Sequence, residues 1–292
     1  MPKVAVVTDS TASLPVDVLE QHGIRVVPLQ VVIGGTSYDD GVDAEARPER
    51  VAEAMRQSVS VTTSRPTPAR MLQAYWELAA LGAEEVVSVH LSGQVSATWE
   101  SAVLAARRSP VPVQVVDSRL VGPGTGYAAL TAAEVVAADG TAEEAADAAR
   151  ARAAASTTLF YVDSLEYLRR GGRVGAAAAL LGSALAVKPI LEVREGQVLP
   201  REKVRTSARG LTKLEELAVE AAGNEPVDVA VCHLANHEQA AALADCLGER
   251  LRDNLRGGGV DVAEIGAVLG AHVGPGLVGV TIAPLLATPA RG

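Results

Sequence analysis

A chain of 292 residues with 48% hydrophobic side chains can bury a large core and enclose a cavity, which excludes a disordered protein. A net charge of -9 and a pI near 5.1 exclude the positive footprint of a nucleic-acid binder. The apolar runs are broken by Gly, Pro or charge before the ~20 residues of a membrane span, and the N-terminus reads as a strand rather than a signal peptide, so the expected location is cytoplasmic.

The first half alternates strand and helix. Val4 to Val7 reads as a strand ending in Thr8-Asp9-Ser10, followed by a helix opened by Pro15 and closed at Gly23. Arg25 to Ile33 reads as one strand, with Gly34-Gly35 as a hairpin turn into Thr36 to Asp39. Pro48 opens a helix through Gln57. Thr67-Pro68 opens another, with Met71, Leu72, Tyr75, Trp76 and Ala79 on one face. Val86 to Leu91 is a strand before a helix from about Ser96 to Arg108, and Val113 to Val116 is a strand ending in Asp117-Ser118. Continuous apolar strands between amphipathic helices indicate a parallel sheet covered on both faces.

The second half reads as α+β with a mixed sheet. A helix from Thr141 to Ala155 leads to a strand, Thr158 to Val162, with a third Asp-Ser ending at Asp163-Ser164. Arg194-Glu195-Gly196 signals a hairpin, and Val227 to His233, Val260 to Ile265 and Gly279 to Ile282 read as strands. Glu238 to Leu255 reads as a helix, and the domain boundary is placed near residue 155. Cys232 and Cys246 have neither CxxC spacing nor a shared histidine, so they read as reduced structural thiols rather than a zinc site.

Three segments carry chemistry. Ser92-Gly93-Gln94-Val95-Ser96-Ala97-Thr98 lies beyond the carboxyl end of a strand, where ligands bind in such sheets. Thr62-Thr63-Ser64 precedes Arg65-Pro66, and Ala271 to Gly276 sets His272 in a glycine-rich loop. Hydroxyls and backbone N–H groups suit an acceptor-only carboxylate, although taken alone Ser92 to Thr98 reads as a helix cap, Thr62 to Ser64 as a turn and His272 as a structural histidine. The pattern GxSxG is absent, so a serine hydrolase or acyl-transfer enzyme would need Ser92 or Ser96 to meet His272 in space. Gly122-Pro123-Gly124-Thr125-Gly126 lacks the full dinucleotide pattern. From Arg169 to Lys213, ten Lys/Arg stand against three Glu, which is either a solvated face or a basic patch that steers an acidic partner or binds phosphate.

Taken together, Thr8-Asp9-Ser10-Thr11, Tyr38-Asp39-Asp40-Gly41-Val42, Thr63-Ser64-Arg65-Pro66, Leu91-Ser92 through Trp99, Val116-Asp117-Ser118, Leu165 to Val174, Lys188-Pro189-Ile190 and Gly270 to Gly276 resemble the DegV family nearly end to end. The resemblance implies an α/β fold of two domains, a parallel-sheet N-terminal domain (1–155) and an α+β mixed-sheet C-terminal domain (156–292), with a ligand tunnel between them. It implies one bound long-chain fatty acid and no catalytic motif, cofactor or metal of the chain's own. The protein would be the lipid-presenting subunit of a bacterial fatty acid kinase, whose separate catalytic subunit phosphorylates the carboxylate. Docking of that kinase near Arg169–Lys213 and transient contact with a membrane surface go with this reading. By position, Thr63, His272 and Arg173 match the family's threonine, histidine and GGR arginine. The family often has two serines where this chain has Ser92-Gly93, so Gly93 offers only its N–H and Ser92 or Ser96 would substitute. The expected ligand-binding set is Thr63, Ser64, Ser92, Gly93, Ser96, Arg173 and His272.

Overall fold

The computed structural model describes residues 3–180, 188–257 and 259–286. β1 (Val4–Asp9) is buried along its whole length, as a strand covered on both faces must be. α1 (Val16–Gln21) leads to β2 (Ile24–Val27), which pairs in parallel with β1. The single strand expected over Arg25–Ile33 is two strands. Pro28 has no N–H for a ladder, and beyond it β3 (Gln30–Ile33) enters a different, antiparallel sheet. That sheet has the order β4-β3-β5, with β4 (Thr36–Asp39) and β5 (Val61–Ser64) flanking α2 (Pro48–Arg56) in sequence. The β3–β4 hairpin turns on Gly34 and Gly35 at φ +57° and +91°, backbone that favours glycine.

Thr67 caps α3 (Pro68–Ala80) by accepting from Arg70 N. Its inward face is Met71, Ala74, Tyr75 and Leu78, while Trp76 is 56% exposed. β6 (Glu85–His90), α4 (Thr98–Ala106) and β7 (Val113–Asp117) complete a parallel sheet of order β2-β1-β6-β7. α5 (Pro123–Ala137) starts at Pro123, so the glycines after it lie in a buried first helical turn rather than a phosphate loop. α6 (Ala142–Ala155) begins with a capping box between Thr141 and Glu144.

The chain then builds a six-stranded mixed sheet from β8 (Thr157–Tyr161), β9 (Lys188–Arg194), β10 (Gln197–Val204), β11 (Val227–His233), β12 (Asp261–Glu264) and β13 (Val278–Pro284), in the order β10-β9-β8-β13-β11-β12. The helices of this half are α7 (Glu166–Arg170), α8 (Ser207–Ala222), α9 (His237–Arg250) and α10 (Ala267–Val273).

The layers follow from which faces are apolar. α3 and α4 cover one face of the parallel sheet. α5 and α6 cover the other and also pack on β13, so they form a middle layer between the two large sheets. Alanines such as Ala128, Ala132, Ala145 and Ala149 let those helices approach closely, and one core cluster runs from Val6 through them to Phe160 and Leu191. α8 and α9 cover the outer face of the mixed sheet. α10 packs against β3, β5, α2 and α7, so a helix of the second half completes the small sheet of the first. Among the described residues no helix is long and apolar enough to cross a membrane. Cys232 is buried and Cys246 exposed, and both are free.

Candidate ligand-binding site

A cavity of about 380 Å³ lies between the halves, a size ordinary for a small-molecule site. Leu29 and Leu91 from the first half and Phe160, Leu168, Val268 and Leu269 from the second give it apolar walls. Phe160 is the only phenylalanine of the chain. Thr63, Ser64, Arg65, Ser96, Arg173 and His272 supply the polar part of the lining.

Period-2 alternation along β5 turns Val61 and Thr63 inward and leaves Thr62 and Ser64 exposed. His272 does not sit in a loop. It lies in the last turn of α10, and the irregular segment begins only at Gly274, whose φ of +78° ends the helix. A Cβ at Gly274 would stand 2.0 Å from the Tyr167 ring, so only glycine fits. Thr63 Oγ1 and His272 Nε2 are 2.8 Å apart, across 209 residues of sequence. Gly171 packs against the other edge of the imidazole, where a Cβ would meet Nδ1 at 2.2 Å. That contact explains the first glycine of the Gly171-Gly172-Arg173 motif.

Burial, and secondarily the positive charge of Arg173, push the His272 pKa down to about 4. The imidazole is therefore neutral at pH 7 and carries one N–H. Nδ1 is buried without a partner. A proton there would leave a buried donor unpaired, so the tautomer protonated at Nε2 is favoured. Nε2–H then donates to Thr63 Oγ1, and the Thr63 hydroxyl proton is left to donate to a ligand.

Arg173 donates from Nε to Val95 O at 3.0 Å and from Nη1 to Gly171 O at 2.6 Å, tying the segment after β6 to the turn after α7. It borders the cavity and also a groove of about 480 Å³ on the far side of the Thr63–His272 pair, where Thr62, Tyr167 and Arg170 line the wall. The pair thus stands between an apolar cavity and an arginine-bordered groove.

Ser96 lines the cavity, with Oγ 2.8 Å from Thr98 Oγ1. Ser64 lines it too, its hydroxyl only weakly engaged by Arg65 O at 3.4 Å. Ser92 and Gly93 are not among the lining residues. Ser92 is fully buried and donates to Gly196 O at 2.7 Å, which clasps the β9–β10 turn onto the first half. Gly93 N–H donates to Asp117 Oδ1 at 3.2 Å, and the residue borders a neighbouring groove. Neither donor is thereby free for a carboxylate in this cavity. The serine–histidine contact that a hydrolase would need is absent for Ser92 and Ser96, because His272 Nε2 is engaged by Thr63.

A second polar constellation lay outside the sequence expectations. Ser88 Oγ is 2.7 Å from His90 Nε2, and His90 Nδ1 is 2.9 Å from Asp9 Oδ2, while Tyr75 donates to Ser88 at 2.9 Å. The order matches a nucleophile–base–acid relay. All four residues are fully buried, so no substrate reaches them, and the network ties β1, β6 and α3 together. Within the basic segment, Arg169 and Arg170 pair with Glu166 and Arg201 with Glu192, whereas the edge strand β10 exposes Arg201, Lys203 and their neighbours. Charge on an edge strand also discourages strand addition.

Comparison with known proteins gives a consistent picture. The family model for uncharacterised proteins of the DegV family matches residues 3–285. A DegV domain-containing protein of Streptomyces coelicolor is 50% identical over 280 residues, covering 96% of this chain and 98% of the relative. The fold is similar to a fatty-acid-binding DegV family protein of Thermus thermophilus at a TM-score of 0.89 and 33% identity, over 98% of this chain and all of the other. It is equally similar to DegV, a fatty acid binding protein of Bacillus subtilis, at a TM-score of 0.88 and 31% identity, with 98% and 100% covered.

Proposed function

The chain belongs to the DegV family, and from that premise we propose that it binds one long-chain fatty acid and presents its carboxylate to a separate kinase. The observation that carries the reading is the Thr63–His272 pair, which lines both the apolar-walled cavity and the neighbouring groove. The acyl chain lies against Leu91, Phe160 and Val268, and the carboxylate accepts from the Thr63 hydroxyl, with Ser96 and Ser64 at hand as further donors. About fourteen methylenes at ~0.8 kcal/mol each give a gross drive of roughly 11 kcal/mol, from which association and ordering subtract several. A carboxylate buried without donors would cost several kcal/mol more, which is why the polar end must be furnished.

His272 acts here by fixing the direction of the Thr63 hydroxyl, and Arg173 by its charge beside the pair. Arg170 and Arg173 border the groove through which the carboxylate would be reached, and Arg201 and Lys203 are further exposed bases of the same segment of sequence. This surface is the proposed docking face for the kinase, and the proposed setting is the cytoplasm. Native mass spectrometry of the gently purified protein tests the binding: one co-purifying fatty acid is expected, and apo-protein alone counts against it. A p-nitrophenyl acyl ester with a serine-directed probe tests the hydrolase alternative: turnover with stoichiometric labelling of Ser92 or Ser96 would replace this reading. For docking, Arg170→Glu is expected to abolish phosphorylation of bound fatty acid by a fatty acid kinase with ATP, at unchanged fatty-acid Kd. Undiminished phosphorylation would remove Arg170 from the docking face.

A further inference from the structure

We propose that Asp40 is a positioning residue of the ligand site, holding α10, and through it His272, from the opposite half of the chain. The inference rests on the reading of Thr63–His272 as the carboxylate end of the site. Asp40 is only 2% exposed. Its Oδ1 accepts from the N–H of Ala267, the first residue of α10, at 2.8 Å, and its Oδ2 accepts from Ser10 Oγ at 2.9 Å. Ser10 Oγ in turn accepts from Leu29 N at 3.1 Å, and Asp40 N–H donates to Leu29 O at 2.9 Å. One carboxylate therefore joins the end of β1, the approach to β3 and the end of β4 to the start of α10.

The physical chemistry favours this arrangement. A buried carboxylate requires donors, and a helix start presents N–H groups that lack partners of their own. Gly266, the residue before the helix, has an ordinary φ of -60°, yet a Cβ there would stand 2.9 and 3.0 Å from the two Asp40 oxygens. Glycine is needed at 266 for the approach of the carboxylate, not for backbone freedom. From Ala267 to His272 the helix rises only about 7.5 Å, so a hold on its first residue sets the place of the imidazole. Val268, Leu269 and Val273 of the same helix line the cavity. Neighbouring Asp39 is not part of the device, because its carboxylate is paired with Arg70 at 2.5 Å.

The test uses the full-length, lipid-stripped, ¹⁵N-labelled protein, with the His272 ring signals assigned by their loss in His272→Gln. Asp40→Leu and Gly266→Ala are expected to shift those signals in the ligand-free protein. Both are expected to raise the Kd of a fluorescent long-chain fatty acid about tenfold, whereas Asp40→Asn, which keeps an acceptor for Ala267 N–H, stays within about threefold of wild type. Unmoved His272 signals in folded Asp40→Leu or in Gly266→Ala overturn the proposal. Should Asp40→Leu fail to fold, Gly266→Ala decides alone. The ring signals are read without ligand, so a wild-type protein that binds no fatty acid would refute the proposed function while the positioning role is still judged.

Discussion

Thr63→Val removes one hydroxyl while keeping nearly the same shape, and its consequences separate into two measurable parts. The first is stability. Thr63 Oγ1 is the partner of His272 Nε2 at 2.8 Å, and Nδ1 already lacks one, so valine leaves the imidazole with no hydrogen bond from protein. Leaving one such group unsatisfied costs about 1–3 kcal/mol, tempered by whatever water the cavity admits. The second part is affinity. A hydroxyl donating to a carboxylate is worth about 1.5–3 kcal/mol, so the Kd should rise roughly ten- to 150-fold. The apolar walls are unchanged, and binding is weakened rather than abolished. Calorimetric titration of lipid-stripped protein with a long-chain fatty acid measures the second part, and thermal unfolding the first. Thr63→Ser keeps the hydroxyl and should retain most of the affinity. Adding Ser96→Ala to Thr63→Val should weaken binding further, because Ser96 is another hydroxyl of the first half in the cavity lining. A folded Thr63→Val protein with wild-type Kd would refute the carboxylate assignment.

Other expectations concern acid and backbone. The His272 pKa is lowered to about 4 by burial and Arg173, so its contribution to stability is complete above the ordinary pKa of 6.5 and is lost as pH falls through 4. Denaturant unfolding of His272→Gln should lack that acid-side loss, and an unchanged pH profile would contradict the burial argument. Asp40 runs the opposite way. Burial, with nearby Asp9 adding a smaller repulsion, raises its pKa to about 6 against the donors Ser10, Ala267 and Val268. Its contribution to stability therefore grows as pH falls from 6 to 3.8, by roughly 3 kcal/mol in total. Asp40→Asn should remove that gain, and a retained gain would place the titration elsewhere. Gly274→Ala meets both a left-handed backbone and the Tyr167 ring at 2.0 Å, so loss of at least about 1–3 kcal/mol is expected in unfolding titrations. A wild-type unfolding midpoint would show that α7 yields easily.

The large elements were legible because their signals are local. Apolar runs such as Val86 to His90 and capping residues such as Thr67 and Thr141 act within a few residues, and they appear where their chemistry places them. Elements decided by remote partners were not legible. A helix over Ala267–Val273 has no local N-cap side chain, since its capping carboxylate comes from Asp40, and the segment consequently reads as a glycine-rich loop. Arg25–Ile33 reads as one strand because apolar composition continues through Pro28, and only the pairing of β2 with β1 and of β3 with β5 shows the break. At the candidate site, the structure brings Thr63, Ser64, Ser96, Arg173 and His272 into the lining of one cavity. Ser92 and Gly93 carry equally suitable donors, but those donors are engaged by Gly196 and Asp117, and no sequence pattern reports an engagement across 104 residues.

The recurring Asp-Ser strand endings show why the motif residues and the cavity-lining residues differ. Asp9 accepts from Thr11 N and Leu91 N and from His90, and Asp117 accepts from Gly93 N and Arg119 N. Each is therefore a turn cap, as its position suggests, but each also grips the segment that leaves β6. Leu91, held by Asp9, and Val95 and Ser96, two and three residues beyond Gly93, line the cavity. Asp163 at the third ending takes the Tyr161 hydroxyl and the Lys188 ammonium, both at 2.6 Å, and so anchors the start of β9. Carboxylates at strand ends thus aim loops, Asp40 aims a helix, and Gly171, Gly266 and Gly274 clear the space those aims require. Asp9, Asp40 and Asp117 thus stand behind the cavity rather than in its wall, and what they position is the backbone that carries its small hydroxyls.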